Sequence, residues 1–223
     1  MRSVREHDYT PQPGECRPDD EHANLLTHGL GLLLSLAASF LLMLVIVRQR
    51  DMLEIVSCAI YCSSLVALYA ASTLSHLFTD LAWRRFFRMI DQACIFLLIA
   101  GSFTPVAVLC LWHGWWPLLL VTMWGFALLG VLTVVHFVNL PSLARISYGI
   151  LGWLPVISLK ALFDAEPFSI VIWFVAGGAC YSIGTLFLQY DERVCYLHAV
   201  WHIFVIAGST CHYVAILSLA AAL

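Results

Sequence analysis

The chain has 223 residues, of which 61% are hydrophobic and only 11% charged, and its formal net charge is −3. A soluble domain of this length carries about a quarter charged residues, so this composition excludes one: too few polar groups exist to cover its surface. No basic stripe is present to suggest nucleic acid as a partner.

The charge that exists is concentrated at the start. Residues 1–23 hold Arg2, Arg5 and Arg17 together with Glu6, Asp8, Glu15, Asp19, Asp20 and Glu21. With Pro11, Pro13 and Pro18 among them, they lack the basic-then-apolar order of a secretory leader. They read as a short, weakly ordered cytosolic tail, followed by a single membrane domain over 24–223. Glu21 and Asn24, just ahead of Thr27 and His28, read first as capping residues for the first helix and second as groups over the mouth of a site at that end.

From there the sequence supplies seven apolar stretches, each near the roughly 20 residues a spanning helix needs. The first runs from Leu25 to Val47 and ends at Arg48, Arg50 and Asp51. The second covers Leu53 to Phe78 and carries Ser63, Ala67, Ala71 and Ser75 at steps of four. That ladder of small side chains allows close helix approach, which predicts a central position in the bundle. The third follows Arg84 and Arg85 and extends to Trp112. The fourth begins near Pro117 and reaches His136. The fifth spans Leu143 to Leu162, the sixth Pro167 to Leu188 and the seventh Val194 to Ala221. Pro117 and Pro167 fall at helix starts, where a missing N–H costs nothing. Pro105 and Pro155 fall mid-span and predict kinks. The fold class is therefore all-α, an integral membrane bundle of seven transmembrane helices joined by short loops.

Loop charges give a direction. Arg2, Arg5, Arg17, Arg84, Arg85, Arg88, Arg145 and Arg193 lie on one side, against Arg48, Arg50 and Lys160 on the other. The positive-inside rule then puts the N-terminus in the cytosol and the C-terminus outside. The eight cysteines include no CxxC pair. Cys58, Cys62, Cys94, Cys110, Cys180 and Cys211 sit within apolar runs and read as small hydrophobes.

Polar side chains inside a membrane are costly and each asks for a reason. His76 lies about one turn before the end of the second span. Asp91 lies about two turns into the third, across a short turn from it. His198 and His202 open the seventh span on the same side, and their i,i+4 spacing puts both rings on one helix face. All four therefore converge on one layer near the cytosolic side. Three histidines plus a water form the ligand set of an open zinc site. Asp91 is placed to hold that water and move its proton, and Ser72, one turn from His76, to add a hydrogen bond. The bland alternative is a hydrogen-bonded polar network, since a lone buried histidine is usually a satisfied structural residue. His212 is about 15 Å along the helix from His202 and cannot share that metal. His28 and His136 are near enough to the layer to serve as substitute ligands, although three histidines already supply a set. His7, His22 and His113 have no role in this scheme.

The stretches Ser72-Thr73-Leu74-Ser75-His76, Arg88-Met89-Ile90-Asp91 and His198-Ala199-Val200-Trp201-His202 resemble the signature motifs of the hemolysin III and progestin/adipoQ receptor family. Glu21-His22-Ala23-Asn24-Leu25-Leu26-Thr27-His28-Gly29 and Gly101-Ser102-Phe103-Thr104-Pro105 are similar to its hemolysin III branch. The resemblance extends from Glu21 through the rest of the chain. It implies a zinc ion held by His76, His198 and His202, with Asp91 and Ser72 around it, in a superfamily that includes alkaline ceramidases. It also implies a bacterial inner-membrane location.

Three functions follow as expectations. The first is a zinc-dependent intramembrane hydrolase acting on an amide or ester of a membrane lipid, with Asp91 shuttling the proton. The second is a receptor or membrane-homeostasis protein whose zinc is structural. The third is a pore-forming hemolysin, ranked last because a bundle with one intramembrane acid has few groups to line a pore.

Overall fold

The computed structural model describes residues 18–49, 51–136, 141–191 and 193–222. They form eight α-helices: α1 (Pro18–Gln49), α2 (Met52–Leu77), α3 (Leu81–Cys110), α4 (Trp116–His136), α5 (Pro141–Trp153), α6 (Leu159–Ala165), α7 (Phe168–Leu188) and α8 (Leu197–Ala221). No strand occurs among the described residues. Seven segments are long and apolar enough to cross a membrane, because α5 and α6 make up one span between them.

That composite span is the structural outcome of Pro155. A short 3₁₀ segment, Leu154–Ser158, joins α5 to α6 with the proline in its first turn. Ser158 turns its hydroxyl back onto the Pro155 carbonyl at 2.7 Å, which satisfies one of the backbone groups that the break exposes. Pro105, by contrast, is accommodated inside an uninterrupted α3.

Helix starts follow local chemistry rather than apolarity. Asp51 caps α2 through a reciprocal pair, its carboxylate accepting from the Glu54 N–H at 3.0 Å while Glu54 accepts from the Asp51 N–H at 3.2 Å. Asp80 caps α3 by accepting from the Ala82 and Trp83 amides. Arg84, Arg85 and Arg88 therefore lie within the first two turns of α3, not ahead of it. The largest departure is α1. Its apolar stretch begins at Leu25, but the helix begins at Pro18, so Glu21 and Asn24 are helical residues and not caps.

Neighbouring helices pack in chain order, α1 on α2, α2 on α3, α3 on α4, and α7 on α8; contacts of α8 with α1 and α3 close the bundle. α2 and α3 are the most enclosed spans, with 56% and 61% of their apolar windows buried, against 22% in α1 and α7. α2 is thus central, as its small residues suggest, with Ala71 and Ser75 of the ladder buried. Ser63 is exposed, whereas Ser64 is buried against Gly101 of α3. The outer faces keep large apolar side chains such as Phe40, Val121, Leu132 and Ile150 exposed. Such a surface suits hydrocarbon as its solvent.

Candidate metal centre

The helix order brings the start of α1, the end of α2, the start of α3, the end of α7 and the start of α8 to one end of the bundle. His76 sits in the last turn of α2, and His198 and His202 in the first two turns of α8. One ring nitrogen from each lies within 4.8 Å of the other two. The ring centroids are 5.3 Å apart for His76 and His198, 5.3 Å for His76 and His202, and 4.5 Å for His198 and His202. His76 and His202 are buried, at 7% and 1% exposure.

What orients these rings is a set of partners on their far sides. His76 Nδ1 donates to Glu21 Oε2 at 2.7 Å. His198 Nδ1 donates to Asp191 Oδ2 at 2.7 Å. His202 Nδ1 lies 3.0 Å from Thr27 Oγ1. The Thr27 hydroxyl itself donates to the backbone carbonyls of Ala23 and Asn24, so toward His202 it accepts. The carboxylates and this hydroxyl oxygen all accept a hydrogen bond from Nδ1–H, which leaves the lone pair of each ring on Nε2, free to coordinate. An outward-facing acceptor on every ligand ring is the arrangement that metal-binding histidines ordinarily have. Glu21 is held in turn by Arg88 at 3.4 Å and Arg84 at 3.7 Å, which ties the start of α1 to α3.

Asp91 in α3 stands among Ser72, Arg88 and His198. Ser72 is fully buried, and its Oγ has no formed hydrogen bond among the described residues. With the Asp91 carboxyl group beside it, close to three converging imidazoles, that hydroxyl marks a place for a further polar species, such as a water. The donor set and this vacancy in the hydrogen bonding fit a divalent metal that favours imidazole. His76, His198 and His202 are the residues that would hold it.

The remaining histidines separate clearly. His28 is buried with its ring stacked on that of His202. His136 and His113 are exposed. His22 lines a cleft of about 360 Å³ beside His76, together with Glu21, Leu25, Thr79 and Arg84. His212 sits deeper in the bundle against Gly177, with Nε2 3.3 Å from the Phe174 carbonyl. His7 lies outside the described residues.

Sequence reasoning missed the far-side partners. Glu21 was expected as a cap, Thr27 had no role of its own, and Asp191 was passed over. Signals for two of them were present. Pro18 followed by Asp19, Asp20 and Glu21 is a helix start, with proline and acids in the first turn. Read that way, Glu21 falls two turns before His28 on the same face. Asp191 is an acid in the short loop that leads directly into the HxxxH pair.

A multi-pass membrane bundle with a buried histidine triad at one end is the class that fold and site define. The family model described as Haemolysin-III related matches residues 17–213, and the chain belongs to that family. It is 33% identical over 196 residues to Hemolysin-3 of Bacillus cereus, covering 85% of this chain and 87% of that one. It is 34% identical over 202 residues to the Hemolysin-3 homolog of Bacillus subtilis (strain 168), covering 89% and 93%. Similarity extends at 24% identity, over 92% of this chain and 87% of the relative, to the human monocyte to macrophage differentiation factor.

Proposed function

We propose that the chain is a zinc-dependent intramembrane hydrolase of a lipid amide or ester. The observation that supports this most is the outward anchoring of all three histidines, which leaves a ring nitrogen on each free to coordinate, in a cluster within 4.8 Å near Asp91 and Ser72. A metal there would supply Lewis acidity toward a carbonyl oxygen and make a nucleophile available from water near neutral pH. The chain's own groups do the rest. Asp91 accepts the proton of the attacking water and delivers it to the leaving amine or alcohol. Ser72 Oγ, otherwise unpaired, orients that water or the substrate carbonyl. Glu21, Asp191 and Thr27 keep the rings in the required tautomer.

A structural-zinc reading has one observation in its favour: Glu21 and Thr27 already tie α1 to α2 and α8 through the same rings. Variants separate the two. In detergent-purified protein, Asp91→Ala should keep its metal while turnover of fluorescent acyl-amide or acyl-ester lipids falls by about 10²–10⁴-fold, the usual worth of a positioned acid–base group. Release of the metal from Asp91→Ala would favour the structural role. Equal zinc content in wild type and a His198→Ala/His202→Ala double variant would sink the site as drawn.

A further inference from the structure

His28 shares the α1 face of Glu21 and Asn24, one and two turns further along, and is directed into the bundle at the level of the triad. It is 3% exposed, and neither of its ring nitrogens has a hydrogen-bond partner among the described residues. Each of the other three histidines at this end has an acceptor on Nδ1. A buried imidazole with two empty positions is uncommon, because buried polar atoms are ordinarily paired. Its ring lies face to face with His202, at a centroid separation of 3.4 Å and an angle of 23°, and packs edge-on to Tyr69 at 5.2 Å.

We propose that His28 is a displaceable fourth ligand of the metal held by His76, His198 and His202, an inference that rests on the three-histidine reading above. Neighbouring ligand atoms in a tetrahedral zinc site with bonds of 2.0–2.1 Å lie roughly 3.3 Å apart. The His28 and His202 rings touch face to face at 3.4 Å between centroids, and His28 is not among the residues whose ligand nitrogens lie within 4.8 Å of one another. The rings are nearly parallel, whereas lone pairs that share a metal must converge. Bonding therefore requires the His28 ring to turn, and no hydrogen bond holds it back from turning. The absence of an outer anchor also distinguishes it from the three fixed ligands: what swings in can swing out. With His28 in, the site is closed by four nitrogens; with His28 out, the fourth position opens to water or to a substrate oxygen. This one side chain then decides whether the metal at this end is inert or reactive.

Cobalt(II) reports the number and kind of its ligands in its visible spectrum and can be loaded in place of zinc. The purified protein would be compared with His28→Ala and with His28→Phe, which keeps a ring stacked on His202 but has no lone pair. Azide serves as the probe of an open coordination position. Both variants are expected to take up one cobalt, show an altered visible spectrum, and bind azide roughly tenfold or more tightly than wild type, as when a position open about a tenth of the time becomes open always. Spectra and azide affinities that superimpose for all three proteins would overturn the proposal. So would a His28→Phe variant that behaves as wild type while His28→Ala does not, since the ring would then act by packing alone. A wild-type protein that takes up no cobalt or zinc would instead defeat the three-histidine site itself, a result separable from the other two.

Discussion

Glu21 makes three polar contacts at the histidine end, reaching His76, Arg84 and Arg88 from the start of α1. Its carboxylate fixes the proton on His76 Nδ1, so its removal should weaken the metal site without removing a ligand. Outer partners of ligand histidines typically contribute 10–100-fold in metal affinity. Glu21→Ala is expected to fall within that range in a chelator-competition titration, and Glu21→Gln to lose less, because its amide oxygen still accepts the hydrogen bond. Asp191→Asn should behave as Glu21→Gln does. Unchanged affinity in Glu21→Ala would show that His76 is oriented by packing alone. The triad itself was legible in the sequence because HxxxH and a third histidine share a depth that loop lengths alone determine. Glu21 was not legible in its role, because hydropathy marks where hydrocarbon begins and not where a helix begins. Asp191 was missed for a related reason. A loop acid is usually solvated, and nothing in the order of residues says that the chain folds it back seven positions onto His198.

At the scale of the element, the seven spans were readable from apolar runs, since no other structure of that length satisfies its own backbone in lipid. Which small residues let α2 and α3 approach was not readable. Ser63 and Ser64 look alike in sequence, and only the rotational setting of α2 puts Ser64 inward. A side-chain carbon added at Gly101 would collide with Ser64 Oγ and lie 3.0 Å from Ser64 Cβ, so moving the hydroxyl alone does not make room. Gly101→Ala is accordingly expected to lose about 1–3 kcal/mol by overpacking, read as a lowered thermal midpoint in detergent. Ser64→Ala should recover part of the loss. Gly125→Ala in α4, where the new carbon meets nothing within 4 Å, serves as the control and should be neutral or stabilising by up to about 1 kcal/mol. Equal effects at Gly101 and Gly125 would mean that α2 and α3 are not closely packed.

For the whole molecule, the bundle is asymmetric from end to end. The histidine end is cross-linked by side chains from α1, α2, α3, α8 and the loop before α8. Further along the bundle, Ser209 joins Tyr69 of α2 to Tyr181 of α7 at 3.0 and 2.9 Å. Beyond these contacts, toward the opposite end, the helices meet mainly through apolar contacts. The excess of arginine toward the histidine side of the sequence predicts that this end faces the cytosol. A reporter fused after Leu223 that functions only outside the cytosol is expected to be active, and one fused in the loop near Arg145 inactive. The reverse pattern would put the site on the outer face. This expectation rests on charge counts, which no tertiary contact is needed to evaluate.

The pairing of Thr27 with His202 joins residues 175 positions apart. At elongation rates of about 5–20 residues per second, roughly 9–35 seconds separate the synthesis of the two. Until α8 is made, Thr27 and His28 lack their neighbour His202, and two of the three histidines of the triad do not yet exist. The centre is therefore among the last parts of the protein to assemble. Any ion held by the three histidines would arrive after α8 is in place, drawn from whichever compartment this end of the bundle faces. A chain cut short before α8 retains six spans and a bilayer-compatible surface, but it has no place to put a metal.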